Sequence, residues 1–155
     1  MSGFDAFEIG KRRDLGSYTF TAEAIIAFAK KYDPQSFHLD AEAARDSLYG
    51  GLCASGWHTT AIWMRKNLEQ RDAWTAQLKA EGKTLPVMGP SPGITNLKWL
   101  RPVFAGDSVH YFTTVTSKRK RRSNPLWGIV EAHTEGINQN GDKVVCFDNA
   151  VLVQL

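Results

Sequence analysis

Cysteine is nearly absent. Cys53 and Cys146 are the only two, far apart and outside any Cys-x-x-Cys spacing, which argues against both a disulfide framework and a cysteine zinc site. No run of about 18 apolar residues exists to span a membrane. Met1 to Glu8 lacks a basic region followed by an apolar stretch, so no secretory signal is expected and a cytoplasmic location is. Internal repeats, low-complexity tracts and linkers are also missing. With 155 residues, the chain is expected to form one domain, residues 1–155.

Charge of one sign is scarce as well. The net charge is +3, and much of it comes from Lys118-Arg119-Lys120-Arg121-Arg122 at an expected hairpin tip. That run reads either as a solvated cluster that discourages edge association or as a contact for the phosphates of a ligand. No aromatic platform is interleaved with it, so no nucleic-acid partner is expected.

What the chain does contain is helices first and strands afterwards. Thr21 suits an N-cap, and Ile25, Phe28, Ala29 and Tyr32 form one apolar stripe of the helix that follows. Asp33, before Pro34, is biased out of the helical region and opens a loop. Asp40 can cap a short helix over 41–45. From Ser55 a long helix runs through Leu68 to near Gly82, as one bent helix or two, apolar nearly all round in its first turns and so expected to be buried. Residues 85–93, rich in proline and glycine, form a connection.

Strands are expected over 16–20, 94–100, 108–119, 126–137 and 143–153, with Asn140-Gly141 as a two-residue hairpin turn in which both residues take positive φ. The pattern indicates an α+β domain with an antiparallel sheet wrapped around the apolar helix. Uncovered edges in such a sheet favour dimerisation.

Two segments carry chemistry: Tyr32 to His38 and Leu52 to His58. Asp33 and His38, separated by a proline, cannot meet through helical spacing and must do so through an ordered loop. Together they are suited to hold a water and move its protons. The plainer reading makes Asp33-Pro34 a helix-ending turn and His38 a satisfied polar residue. Ser55 reads mainly as a cap, and His58 as either a ligand contact or a partly buried, hydrogen-bonded histidine. Cys53 has no evident activating group to make it a nucleophile. His110 and His133 lack metal-ligand spacing, and no metal site is expected.

Tyr32-Asp33-Pro34-Gln35-Ser36-Phe37-His38-Leu39-Asp40, then Gly50-Gly51-Leu52 with Ala54-Ser55-Gly56-Trp57-His58, then Trp99 to Asp107, occur in an order that resembles the MaoC-like dehydratases, including the (R)-specific enoyl-CoA hydratases. The resemblance covers nearly the whole chain. It implies a hot-dog fold, commonly dimeric, and reversible syn addition of water to a trans-2-enoyl thioester of coenzyme A or acyl carrier protein, with no metal or redox cofactor. Asp33 and His38 would hold and activate the water, with Asp33 as base. The backbone N–H of Gly56 would bind the thioester carbonyl, with Ser55 and His58 as further substrate-side candidates. Where that family commonly has Asn two positions after the Asp, an apolar residue before the His and in some members a Ser in the central helix, this chain has Gln35, Phe37 and Met64. A catalytically quiet acyl-thioester-binding subunit and a hot-dog thioesterase are the alternatives.

Overall fold

The computed structural model describes residues 2–155. Its elements in chain order are β1 (Arg12–Thr19), α1 (Ala22–Tyr32), α2 (Ser36–Leu39), α3 (Ala41–Arg45), α4 (Gly56–Ala80), β2 (Gly93–Trp99), β3 (Ser108–Lys120), β4 (Trp127–Asn138) and β5 (Lys143–Gln154). The five strands form one antiparallel sheet in the order β1-β3-β4-β5-β2. This is the hot-dog fold.

Alternation along β3 explains how the sheet holds its helix. Val109, Tyr111, Thr113 and Val115 are buried while their neighbours are not, as a period of two requires. Phe20, Ile25, Trp63, Tyr111 and Phe147 meet in the main core, each large side chain contributing about 1.5–3 kcal/mol on full burial. Tyr111 adds a polar tie, its hydroxyl donating to the Thr59 carbonyl of α4 at 2.8 Å.

Caps fall where the sequence puts them. The Thr21 side chain accepts from Ala24 N–H, Asp40 from Glu42 N–H and Ser55 from Trp57 N–H. Several expectations need correction. Strand β1 begins at Arg12, four residues before the expected start, because charged Arg12, Arg13 and Asp14 mask the pattern. Gly16 bends it, with φ of 86° at a register shift. The loop after Pro34 contains one helical turn, α2. Tyr32 is 69% exposed, so the stripe of α1 ends at Ala29.

Helix α4 is a single continuous helix rather than two, and it is not wholly buried. Trp57, Ala61, Met64 and Leu68, at i, i+4, i+7 and i+11, form an exposed stripe. The β4–β5 hairpin has Asn138 N–H donating to the Asp142 carbonyl, with Gly141 alone at positive φ. It therefore closes with the three residues 139–141 instead of the two expected, a turn followed by a left-handed glycine. No helix among the described residues is long and apolar enough to cross a membrane.

Candidate active site

The end of α1 and the turn α2 bring Asp33 and His38 together. Asp33 N–H still donates to the Ala29 carbonyl, but its φ of −153° and ψ of 68° take the chain out of the helix. After the Pro34 corner, α2 folds His38 back. Its Nε2 lies 3.3 Å from Asp33 Oδ2, and the imidazole is buried.

His38 is oriented from its other nitrogen. Nδ1 is 2.6 Å from the carbonyl oxygen of Cys53, and because a carbonyl can only accept, Nδ1 carries a proton. In the neutral ring Nε2 is then a lone pair facing a carboxylate oxygen, an arrangement that calls for a shared proton or a donor between the two. Phe37 packs edge-on against this imidazole at 4.5 Å and against Tyr49 at 5.2 Å, so the aromatic residue before His38 holds the ring in place.

Asp33 is held on both sides. Gln35 Nε2 donates to Oδ1 at 2.6 Å. Burial by itself raises the Asp33 pKa, but hydrogen bonding by Ser55 and Gln35 and the nearby imidazole of His38 outweigh it, leaving the carboxyl below its ordinary value. Ser55 therefore does more than cap α4: its hydroxyl oxygen accepts from Trp57 N–H at 3.3 Å, and it helps hold the Asp33 carboxyl below its ordinary value.

The segment before α4 is laced to two others. Cys53 N–H donates to the Phe37 carbonyl, Ala54 N–H to that of Val103 and Ala105 N–H to that of Leu52, which fixes the helix start beside the Asp33–His38 pair. In the first turn of α4, Trp57 N–H is taken by Ser55 Oγ, and His58 and Thr59 N–H by the Ser55 carbonyl. Gly56 N–H is left without a protein partner among the described residues, at the positive end of a 25-residue helix dipole. The side-chain direction of Gly56 is filled by protein. A Cβ there would come within 2.3 Å of the Trp99 indole, whose Nε1 donates to Thr60 Oγ1 at 3.3 Å.

His58 does not join this site. Two residues after Gly56 it is rotated about 200° around the helix, where it stacks on Phe28 at 4.6 Å and meets Phe20 edge-on at 5.0 Å. Its Nδ1 is buried without a partner among the described residues, so it is not the hydrogen-bonded histidine of the plainer reading either. Burial pushes its pKa down to about 4. Cys53 is buried, and burial, with the Asp33 charge second, pushes its thiol up to about 11. Lys118 is turned inward onto Phe4, its Nζ 3.4 Å from that residue's carbonyl oxygen and 5.1 Å from its ring. Sequence reasoning missed the Cys53 carbonyl and Trp99, whose roles depend on contacts remote in the chain.

Residues 8–147 match the family model described as FAS1-like, dehydratase domain region, and a solved MaoC-like dehydratase from Rhodospirillum rubrum is 38% identical over 97% of this chain and 94% of its own, with a TM-score of 0.78. The chain belongs to the MaoC-like dehydratase family. The (R)-hydratase from A. caviae involved in PHA biosynthesis shares the fold, with 22% identity, a TM-score of 0.66 and coverage of 94% of this chain and 96% of its own. The mesaconyl-CoA hydratase of Cereibacter sphaeroides is 36% identical over 78 residues, which is 47% of this MaoC-like chain and 22% of that protein.

Proposed function

We propose that this MaoC-like protein catalyses reversible syn hydration of a trans-2-enoyl thioester, of coenzyme A or acyl carrier protein, to the (R)-3-hydroxyacyl thioester. The observation that carries the reading is the buried Asp33–His38 contact beside the start of α4. A water between Asp33 Oδ2 and His38 Nε2 donates to both acceptors. Its oxygen bonds to Cβ, one O–H bond breaks, and the pair takes up that proton as a coupled unit. The π electrons of the double bond move toward Cα and the thioester carbonyl. Gly56 N–H and the helix dipole stabilise the negative oxygen, and the pair returns a proton to Cα on the face where water entered.

The exposed stripe of α4, with Ile94, Trp99 and Leu100 on or beside the edge strand β2, supports a homodimer as the working form. Light scattering that shows a monomer at micromolar concentration would refute it.

The deciding experiment follows loss of conjugated-thioester absorbance over a panel of enoyl-CoAs, with chiral analysis of the product. (R)-product is expected, with Asp33→Asn and His38→Ala each slower by about a hundredfold to ten-thousandfold. Free acid released from the thioester would indicate thioester hydrolysis instead. Saturable acyl-CoA binding with no turnover at any length would indicate a binding subunit.

A further inference from the structure

Alternation along β1 sends Arg12 and Asp14 outward, to Glu135 at 2.8 Å and His110 at 2.6 Å, and Arg13 inward, where it lines a cavity of about 210 Å³ between α4 and the inner face of the sheet. Its guanidinium lies over the Trp74 ring at 5.0 Å, and Nη2 is buried without a hydrogen-bond partner among the described residues. The larger groove on the other side of Arg13 contains acids, but these are engaged elsewhere: Glu8 with Lys11, Glu81 with Lys83 and Asp5 with Ser2. A guanidinium stays charged when buried, at a cost that an anion beside it would offset.

A second donor on the cavity wall is also unpaired. Trp63 Nε1, which can only donate, is the second buried polar atom on this wall without a partner among the described residues. Across the sheet, Thr134 Oγ1 donates to Asn149 Oδ1 at 2.8 Å and lies 3.2 Å from Thr113 Oγ1. With its carbonyl oxygen taken, Asn149 offers the cavity its amide N–H groups. Donors thus converge from β1, β5 and α4, a set suited to an oxygen anion.

The cavity lies farther along α4 than the proposed reaction centre. At 100° per residue, Trp63, Asn67 and Trp74 share the helix face of Gly56. Trp63 lies about 10 Å along the axis from it. An acyl chain whose carbonyl is at Gly56 N–H reaches these donors only by passing the Trp99 indole, which packs over Gly56 and Thr60 on that face.

We propose that the cavity takes the far end of the acyl group and that Arg13 selects thioesters whose far end carries a carboxylate. The assignment rests on the acyl-thioester reading above, and the substrate class it names is the monothioester of a dicarboxylic acid.

Binding of saturated acyl-CoAs tests it without turnover, since they have no double bond to hydrate. Calorimetry would compare pairs matched in length, from about four to ten carbons, one ending in methyl and the other in carboxylate. At the length that fits, the carboxylate-ended ligand is expected to bind about ten- to a hundredfold tighter, the size of a charge-assisted hydrogen bond. Arg13→Met should abolish that preference, and Trp63→Phe, which keeps the ring and removes its N–H, should reduce it. Arg13→Met should also melt no lower than the native protein, because it removes an unpaired buried charge. Equal binding of every pair, or a preference that survives in folded Arg13→Met, overturns the proposal. So does competition by the free dicarboxylate as strong as that by its thioester, which would mark a separate anion site. A silent enoyl-CoA panel combined with an Arg13-dependent carboxylate preference would overturn the hydratase reading and leave this one standing.

Discussion

The carbonyl oxygen of Cys53 receives the Nδ1–H of His38 at 2.6 Å, and this bond decides that Nε2 is the nitrogen facing Asp33. An asparagine amide can imitate Nδ1 but offers nothing at the position of Nε2. His38→Asn is therefore expected to melt close to the native temperature while hydration slows by about a hundredfold to ten-thousandfold. His38→Ala should lose as much rate and also about 1–3 kcal/mol of stability, because the Cys53 carbonyl is left unpaired. Thermal melts beside initial rates separate the two effects. A His38→Asn protein with near-native turnover would remove Nε2 from the mechanism.

Ser55 joins the helix cap to the reacting carboxylate. Ser55→Ala removes an N-cap, costing about 1 kcal/mol, and one of the hydrogen bonds that hold Asp33 below its ordinary pKa. The Asp33 pKa should rise, and the acid limb of the pH–rate profile should move toward neutrality with it. A purely structural cap would lower the melting temperature and leave that limb unmoved.

Gly56 is small because Trp99 covers it. Gly56→Ala brings a Cβ to 2.3 Å from the indole. The forced shift is expected to cost about 1–3 kcal/mol, partly offset by alanine's better helix propensity. Denaturant unfolding should show a smaller penalty when Trp99 is already alanine, since the clash then has no second party. Equal penalties in both backgrounds would show that the indole is not the obstacle.

His58 ties stability to pH. The folded state holds it neutral down to about pH 4, whereas the unfolded chain takes the proton near the ordinary histidine value of about 6.5. Between those values the unfolded state binds more protons, so stability is full above about pH 6.5 and falls as pH drops toward 4. The loss from this group is roughly 3 kcal/mol. In His58→Phe that share of the slope should vanish, which unfolding at pH 7 and pH 4.5 would measure. An unchanged slope would mean that the buried imidazole does not titrate as its surroundings require.

Much of the fold can be read in the sequence because its signals are local. Thr21, Asp40 and Ser55 cap the helices they precede, the alternation in 108–115 marks the inner face of β3, and Pro34 stops α1 just after the residue that the site needs. Three charged positions, Arg12 to Asp14, hid the start of β1 because strand propensity says little about a residue whose neighbours across the sheet are unknown.

By itself the sequence determined where α1, α3 and α4 start and that Asp33 leaves α1 at Pro34, since backbone preference and side-chain period act over a few residues. Only the tertiary structure decided which nitrogen of His38 faces Asp33, that His58 turns into the aromatic core, that Trp99 fills the space beside Gly56 and that Arg13 points inward. Each of these depends on groups far apart in the chain. His38 and Cys53 are 15 residues apart, and Trp99 and Thr60 are 39 apart. Such pairs meet only once the sheet has closed around α4, when burial removes water as an alternative partner and makes the choice of protein partner matter.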